Sequence, residues 1–540
     1  MPEPSTVDPP STDRQKSTDQ PSTSGDANPD TPRLAVSALS GGGRVVIGAL
    51  SALLVTPFTL DRLGAARFGL WAAAGGLIGL LRLADLGVGR ALSRQAALTR
   101  RADPLVSATV QALATARGLA ILVGLGVIAL VSLLLPALID PRFGIPADLA
   151  REAGWVFLGT AAVAALEGLF APGQAALEGL GRLDRVNLID AVVQRLLSPW
   201  LVLPVLWAGG GLVGLVAKNA AMAVLAGLWI QRELSRVNPV LAVTRPGLSP
   251  VVAAQLLRFG SHAQSVNLAS ALIDPAAKVI LGAASGLGAV AAYELAARIT
   301  GQFGGACMAA AAGLFPAAAR LDGISAGAGR RQAILDLHAR AWRWTGRLVL
   351  PGWCLMAVLA PAFCRLWLGG DPAPEVARAV QILSPGWMLA LMALPAFLIT
   401  QAAGQPAHST AAGLCTAVVS MGGAYLARPW GLAGVACGLA GGLAAGGLWM
   451  LAAFALEQGL RARELFPDGR AVLAAAIGGL VAGGLITSLP AVWPGLLLSG
   501  AAGAAAALAT LRCSGELTDD DQALLGDLGR RLTGRGMPGP

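Results

Sequence analysis

Apolar stretches of about 18 to 25 residues, each closed by a short polar turn, follow one another through most of the chain. That is the length a helix needs to cross the hydrocarbon core of a bilayer. The runs are continuous and do not alternate apolar with polar, which excludes a membrane β-barrel of ten-residue strands. Fourteen spans are expected. Six lie near 39–60, 68–88, 115–139, 153–177, 187–208 and 210–231, and six more near 255–283, 286–318, 343–368, 376–403, 409–427 and 431–456. A last pair lies near 470–489 and 491–511.

The polar segments divide the chain further. Residues 1–36, rich in Pro, Ser, Thr and Asp, read as a disordered cytoplasmic tail without the basic-then-apolar pattern of a cleavable signal, so the first span would be an uncleaved anchor. An N-terminal six-helix bundle is expected over 37–232, a basic connector over 233–254 and a C-terminal six-helix bundle over 255–457. Two additional helices fall in 458–512 and a cytoplasmic tail in 513–540. The stretches "PFTLDRLGAA" from Pro57 and "PAAKVILGAA" from Pro275 match at five of ten positions, each at the end of the first helix of its block. An aromatic among small residues follows in each block, Trp71 and Tyr293. The fold class is therefore all-α and polytopic, two related six-helix bundles plus two C-terminal helices. Bundles of equal orientation hold substrate between them and alternate access by rocking.

Composition agrees with a membrane solvent: 55% of the 540 residues are apolar and 13% charged, about half the usual charged share. The formal charge of +9 is not a nucleic-acid patch. Its arginines, among them Arg90, Arg94, Arg182, Arg185, Arg232, Arg236, Arg330, Arg331, Arg461 and Arg463, sit in loops after even-numbered spans. The opposite loops are short and hold few, such as Arg62, Arg67, Arg142 and Arg428. By the positive-inside rule both termini are cytoplasmic. The six cysteines are scattered without a CxxC pair, the three histidines stand far apart, and no GxxxxGK[ST] loop occurs. No metal and no cofactor is expected. Trp155, Trp200, Trp353 and Trp430 fall near span ends and read as interfacial anchors.

Charges inside the spans carry the candidate chemistry. Asp or Lys near a helix centre costs about 2.5–3.5 kcal/mol, more than the surrounding aliphatic residues recover. Asp274 and Lys278 are spaced i,i+4 around Pro275, and Glu294 and Arg298 repeat the device in the next span. Arg82, Asp85, Glu167, Asp190, Arg195 and Lys218 complete the set. Such groups pair as interhelical locks or line a wet interior; taken together, a hydrated central cavity of mixed but basic character is expected. Lys278, Arg298 and Lys218 are the candidates for an anionic substrate, since guanidinium donates a planar fork to phosphate.

The stretch "LDRLGAARFGLWAAAGGLIGLLRLADLGVGRALSR" (60–94) resembles the helix one–two segment of bacterial polysaccharide flippases of the Wzx type. "LLRFGSHAQSVNLASALIDPAAKVILGAASGLGAVAAYELAARI" (256–299) resembles their seventh and eighth helices, with Lys278 and Tyr293 at matching positions, and "LFPAAARL" (314–321) their Phe-Pro stretch. The likeness extends to the multidrug/oligosaccharidyl-lipid/polysaccharide exporter superfamily. It implies a membrane transporter, not an enzyme, that passes undecaprenyl-diphosphate-linked oligosaccharide across the bacterial cytoplasmic (inner) membrane for surface polysaccharide, lipopolysaccharide or exopolysaccharide biosynthesis. Its partners would be that lipid-linked oligosaccharide, membrane lipids, and a polysaccharide polymerase with its export machinery. Arg298, Lys278, Lys218, Glu294, Asp274 and Tyr293 would bind substrate, and Asp85, Arg82, Arg195 and Pro275 would gate or couple ions. The alternative is a cation-coupled small-molecule exporter of the same fold, with Asp85 and Glu294 as ion sites. A membrane glycosyltransferase would need a larger extramembrane site than these loops provide.

Overall fold

The computed structural model describes residues 31–81, 87–99, 106–140, 144–311, 328–370, 372–402, 406–460, 470–489 and 492–513. Every regular element among them is helical. In chain order they are α1 (Thr31–Leu81), α2 (Val88–Thr99), α3 (Val106–Leu138), α4 (Ala150–Gly179), α5 (Leu183–Trp207), α6 (Gly211–Val237) and α7 (Pro250–Ala311). Then come α8 (Ala328–Leu368), α9 (Pro372–Ala402), α10 (Pro406–Ala427), α11 (Gly431–Gln458), α12 (Arg470–Ser488) and α13 (Trp493–Cys513).

Nine helical segments among the described residues are long and apolar enough to cross a membrane, and the shorter Val472–Ser488 is apolar too. Two of the nine, Ser270–Met308 and Ala407–Gln458, fold back through a turn and supply two crossings each. With the two arms of α1, the described residues of all fourteen expected spans fall mainly on helix, while 82–86 and 312–318 lie outside the described residues. The amphipathic α2, 12 residues long, is too short to be a span; it buries Val88, Ala91 and Leu92 against α3 and α4, with Arg90 and Arg94 on its exposed side. Of the expected tails 1–36 and 513–540, residues 1–30 and 514–540 lie outside the described residues, while α1 begins at Thr31, ahead of the expected start at 39, and the last helix ends at Cys513.

Both α1 and α7 are hairpins of two helical arms hinged on a single glycine. Gly64 has φ 74° and ψ 164°, and Gly286 has φ 79° and ψ 178°. This region of backbone space is essentially open to glycine alone, so each helix is forced to break there and turn back into the membrane. The glycines also fix the register of the internal repeat. Trp71 lies seven residues beyond Gly64, and Tyr293 seven beyond Gly286. The decapeptide match from Pro57 and Pro275 instead pairs Gly64 with Gly282, one helical turn out of step with the backbone. Leu-Gly-Ala-Ala runs recur easily in so small-residue-rich a chain, whereas Gly64 and Gly286 share the positive φ that Gly282 lacks.

The two hairpins pack against each other and form the seam between the halves. The close approach depends on missing side chains: a Cβ on Gly69 would collide with the Leu287 carbonyl. The first half buries two separate apolar layers. One, with Leu63, Leu70, Phe157 and Leu212, lies toward the hinge face, and the other, with Leu92, Leu113, Leu177 and Leu234, toward the opposite face. A cavity of about 440 Å³ sits between helices α3, α4 and α6 where the layers part. In the second half, α12 and α13 pair with each other and lie on α8.

Trp353 departs from expectation. It is 1% exposed, edge-on to Phe303 at 5.1 Å and stacked with Trp387 at 6.0 Å. It is a core residue; its position in the chain placed it near a span end but did not reveal which way it faced. Trp155, Trp200 and Trp430 are exposed, as anchors require. The connector is folded, not extended. Asn238 caps a short helix over Pro239–Ala242, Arg117 donates to the Thr244 carbonyl, and the Gly247 amide bonds the Ala114 carbonyl at 3.0 Å.

Candidate functional site

The α7 hinge brings four charges together. Lys278 and Glu294 each lie eight residues from Gly286, and Asp274 and Arg298 each lie twelve. At about 1.5 Å of rise per residue the inner pair sits about 12 Å, and the outer pair about 18 Å, from the hinge. Both pairs are thus near mid-bilayer. Lys278 Nζ donates to Asp274 Oδ2 at 2.7 Å and to Glu294 Oε2 at 2.8 Å. Arg298 Nε donates to Glu294 Oε1 at 2.7 Å, so Glu294 is shared between two cations. The result is a continuous chain, Asp274–Lys278–Glu294–Arg298, across the two arms of one hairpin.

Burial differs along this chain. The Lys278 and Glu294 side chains are 7% and 14% exposed, while Asp274 and Arg298 are 48% and 35% exposed. The middle is locked by pairing, as a charge deep in a membrane requires, and the two ends remain accessible. Tyr293 is buried with its hydroxyl against Asp274. Pro275 and Lys278 border a small cavity of about 100 Å³ with Leu70 and Phe157 of the first half.

The facing hairpin α1 completes the site with residues that bear no charge. Arg298 reaches across the seam to Thr56 Oγ1 at 3.3 Å, and its guanidinium lies over the Phe68 ring at 5.7 Å. Gly76 leaves room for the lysine, since a Cβ there would stand 3.0 Å from Lys278 Cδ. None of these three stood out in the sequence. The hinge register would have found two of them. Counting from Gly64 as from Gly286, Thr56 is the counterpart of Lys278 and Gly76 that of Arg298.

The remaining expected site residues lie elsewhere. Lys218 of α6 donates to the Ser198 carbonyl at 2.8 Å and to Ser198 Oγ at 3.0 Å. There it braces α5 just past a widened π-helical stretch, Asp190–Leu197, inside the first half. It is a local brace, not a neighbour of Arg298. Arg195 pairs with Asp190 at 3.3 Å and packs on Gly48 of α1. Arg82 and Asp85 lie outside the described residues. The expected basic surplus is absent from the cluster itself, which holds two acids and two bases.

Two hinged hairpins meet at the bundle interface, with the buried ionic bonds held inside α7 and a hydrogen bond from Arg298 to Thr56 crossing to α1; the fold is that of an all-α, two-bundle membrane transporter. The model of the polysaccharide biosynthesis protein family matches residues 42–322, just over half of the chain, and the chain belongs to that family. Among solved structures, the lipid II flippase MurJ in an inward closed conformation is similar with a TM-score of 0.66 at 12% identity, covering 88% of this chain and 98% of MurJ. An inward-facing MATE multidrug transporter of the MOP superfamily is similar with a TM-score of 0.59 at 17% identity, covering 77% of this chain and 98% of that one. A MOP superfamily transporter from Pyrococcus furiosus gives 0.52 at 19% identity over 79% and 96% of the two chains. At these identities the likeness is one of fold. Among curated proteins nothing matches the sequence.

Proposed function

We propose that this protein is a flippase that carries undecaprenyl-diphosphate-linked oligosaccharide across the bacterial cytoplasmic membrane by alternating access between its two halves. The observation that carries the reading is Arg298, a guanidinium near mid-membrane that is one-third exposed and held by one oxygen of a shared carboxylate. A diphosphate presents several anionic oxygens in the planar geometry that guanidinium recognises. It would draw Arg298 away from Glu294, while Lys278 keeps Glu294 neutralised and so limits the cost of the exchange. Asp274, with Tyr293, would balance Lys278 in the same way. Thr56 ties Arg298 to the first half, so loss of that contact on binding would loosen the seam. By the positive-inside rule, the arginine-rich loops support a cytoplasmic loading side. The polymerase and export machinery would then act on the delivered product.

The test is transport in proteoliposomes loaded with undecaprenyl-diphosphate oligosaccharide. Arg298→Ala is expected to lower flipping about a hundredfold, as loss of a desolvated charge pair does, with insertion unchanged. A wild-type rate would remove Arg298 from the site. A second reading, a cation-coupled small-molecule exporter, is favoured by the zero net charge of the cluster and the fold shared with multidrug transporters. In a deletion strain, lipid-linked oligosaccharide accumulating in the inner leaflet supports the flippase. An unchanged pool with lost resistance to lipophilic cations supports the exporter.

A further inference from the structure

A second polar cavity lies at the membrane face where the hinges turn, one hinge away from the charged cluster. Its volume is about 460 Å³, within the range of roughly 300–1,000 Å³ typical of ligand pockets. It is walled by Ser285 beside the α7 hinge, Glu375 and Arg378 on the first turns of α9, and Trp430–Gly431 at the start of α11. Trp430 is 75% exposed. It is held out by a tight turn over Arg428–Trp430, in which the Arg428 guanidinium stacks 3.7 Å from the Tyr425 ring, and by Gly431 at φ 64°.

Glu375 and Arg378 are exposed one helical turn apart, and neither has a hydrogen bond or ion pair among the described residues. Most described arginines near this face are engaged: Arg62 over Phe58, Arg67 with Glu152, Arg365 on the Pro361 carbonyl and Arg428 on Tyr425. Arg151 is also unpartnered, but on open surface. Among the described residues, Arg378 is thus an unengaged donor at a cavity wall, beside an unengaged acceptor, Glu375, and an exposed indole face.

That trio has a particular ligand chemistry. An indole face is a broad apolar platform with an electron-rich surface. Guanidinium only donates hydrogen bonds, and an ionised carboxylate only accepts them. A pyranose ring meets all three demands: an apolar C–H face, and hydroxyls that both donate and accept. The pair sums to zero charge, which suits a neutral hydroxylated ring better than a diphosphate. We infer that this cavity is a saccharide subsite that seats one hexopyranose ring of the cargo on the hinge side. The inference rests on the flippase reading, whose diphosphate would occupy the separate Arg298 cluster. A plain membrane anchor would explain an exposed Trp430, but not an unpartnered acid and base walling a cavity beside it.

The experiment uses full-length protein in lipid nanodiscs. Saturation-transfer NMR is run with D-glucose, D-galactose, D-mannose and N-acetyl-D-glucosamine as separate millimolar probes. At least one is expected to bind the wild type, with affinity about tenfold lower in Trp430→Ala, the loss of one stacking face, and similarly lower in Arg378→Ala. Trp155→Ala, at another exposed tryptophan toward the same face, should bind as wild type. No signal from any probe, or equal losses in the Trp155 and Trp430 variants, overturns the subsite. Arg298→Ala in the same assay separates the two proposals. Retained sugar binding with lost flipping supports both; absent sugar binding with Arg298-dependent flipping sinks only the subsite. Trp430-dependent sugar binding with normal flipping by Arg298→Ala sinks only the diphosphate site.

Discussion

The hairpins α1 and α7 share a backbone and differ in chemistry. Each turns on a glycine of nearly the same conformation, and each carries an aromatic seven residues later. At the four positions where α7 has Asp274, Lys278, Glu294 and Arg298, α1 has Ala52, Thr56, Ala72 and Gly76. One hairpin concentrates the ionic groups and the other supplies a small, nearly neutral surface against which they fit. The division has a physical logic. Four charges can be satisfied within one hairpin, so the bundle interface need not break any of these ion pairs to open; the polar contacts it would release include the Arg298 bond to the Thr56 hydroxyl and the Trp367 indole bond to the Leu53 carbonyl, along with the Phe68 face. Duplicated architecture thus need not mean duplicated function.

Four substitutions sharpen or break this comparison. Lys278→Ala has the largest expected effect. It strips both carboxylates of their shared cation at a buried position and should cost about 3–5 kcal/mol, read as a lowered unfolding midpoint in detergent; a change under about 1 kcal/mol would mean the cluster is hydrated throughout. Next come the hinges. Gly64→Ala and Gly286→Ala should each cost about 1–3 kcal/mol through backbone strain alone, because open space surrounds both Cβ positions. A clearly unequal pair of midpoints would show that the hairpins are not equivalent. Smallest is Thr56→Val, which removes one hydrogen bond worth about 1 kcal/mol. It should leave the fold intact while shifting the resting balance of open and closed forms, as read by double electron–electron resonance between labels on α2 and α8. An unchanged distance distribution would remove Thr56 from the seam.

Much of this arrangement was legible in the residues. Apolar run length is enough to place the spans, because in a bilayer the backbone must satisfy itself as helix. The pairs Asp274–Lys278 and Glu294–Arg298 follow from i,i+4 spacing on a helix. The bond between them, Lys278 to Glu294, spans sixteen residues and exists only because Gly286 folds the chain back, so spacing alone could not supply it. Lys218 shows the complementary limit. Its depth was readable, but not the direction it faces around α6, and the acceptor it found is a carbonyl at Ser198, next to a local widening of α5. Thr56, Phe68 and Gly76 escaped notice because an interface made of ordinary membrane-helix residues carries no compositional mark.

The strapped connector sets a tether length for the whole machine. Gly247 is bonded to α3, and α7 starts at Pro250, so three residues of slack join the halves at the arginine-rich mouth. Fully drawn out, that slack reaches about 10 Å. The foot of α7 is therefore leashed to α3, and a wide parting of the bundles on that side, as the proposed alternating access requires, would have to occur at the edge away from this leash, as a swing and not a separation.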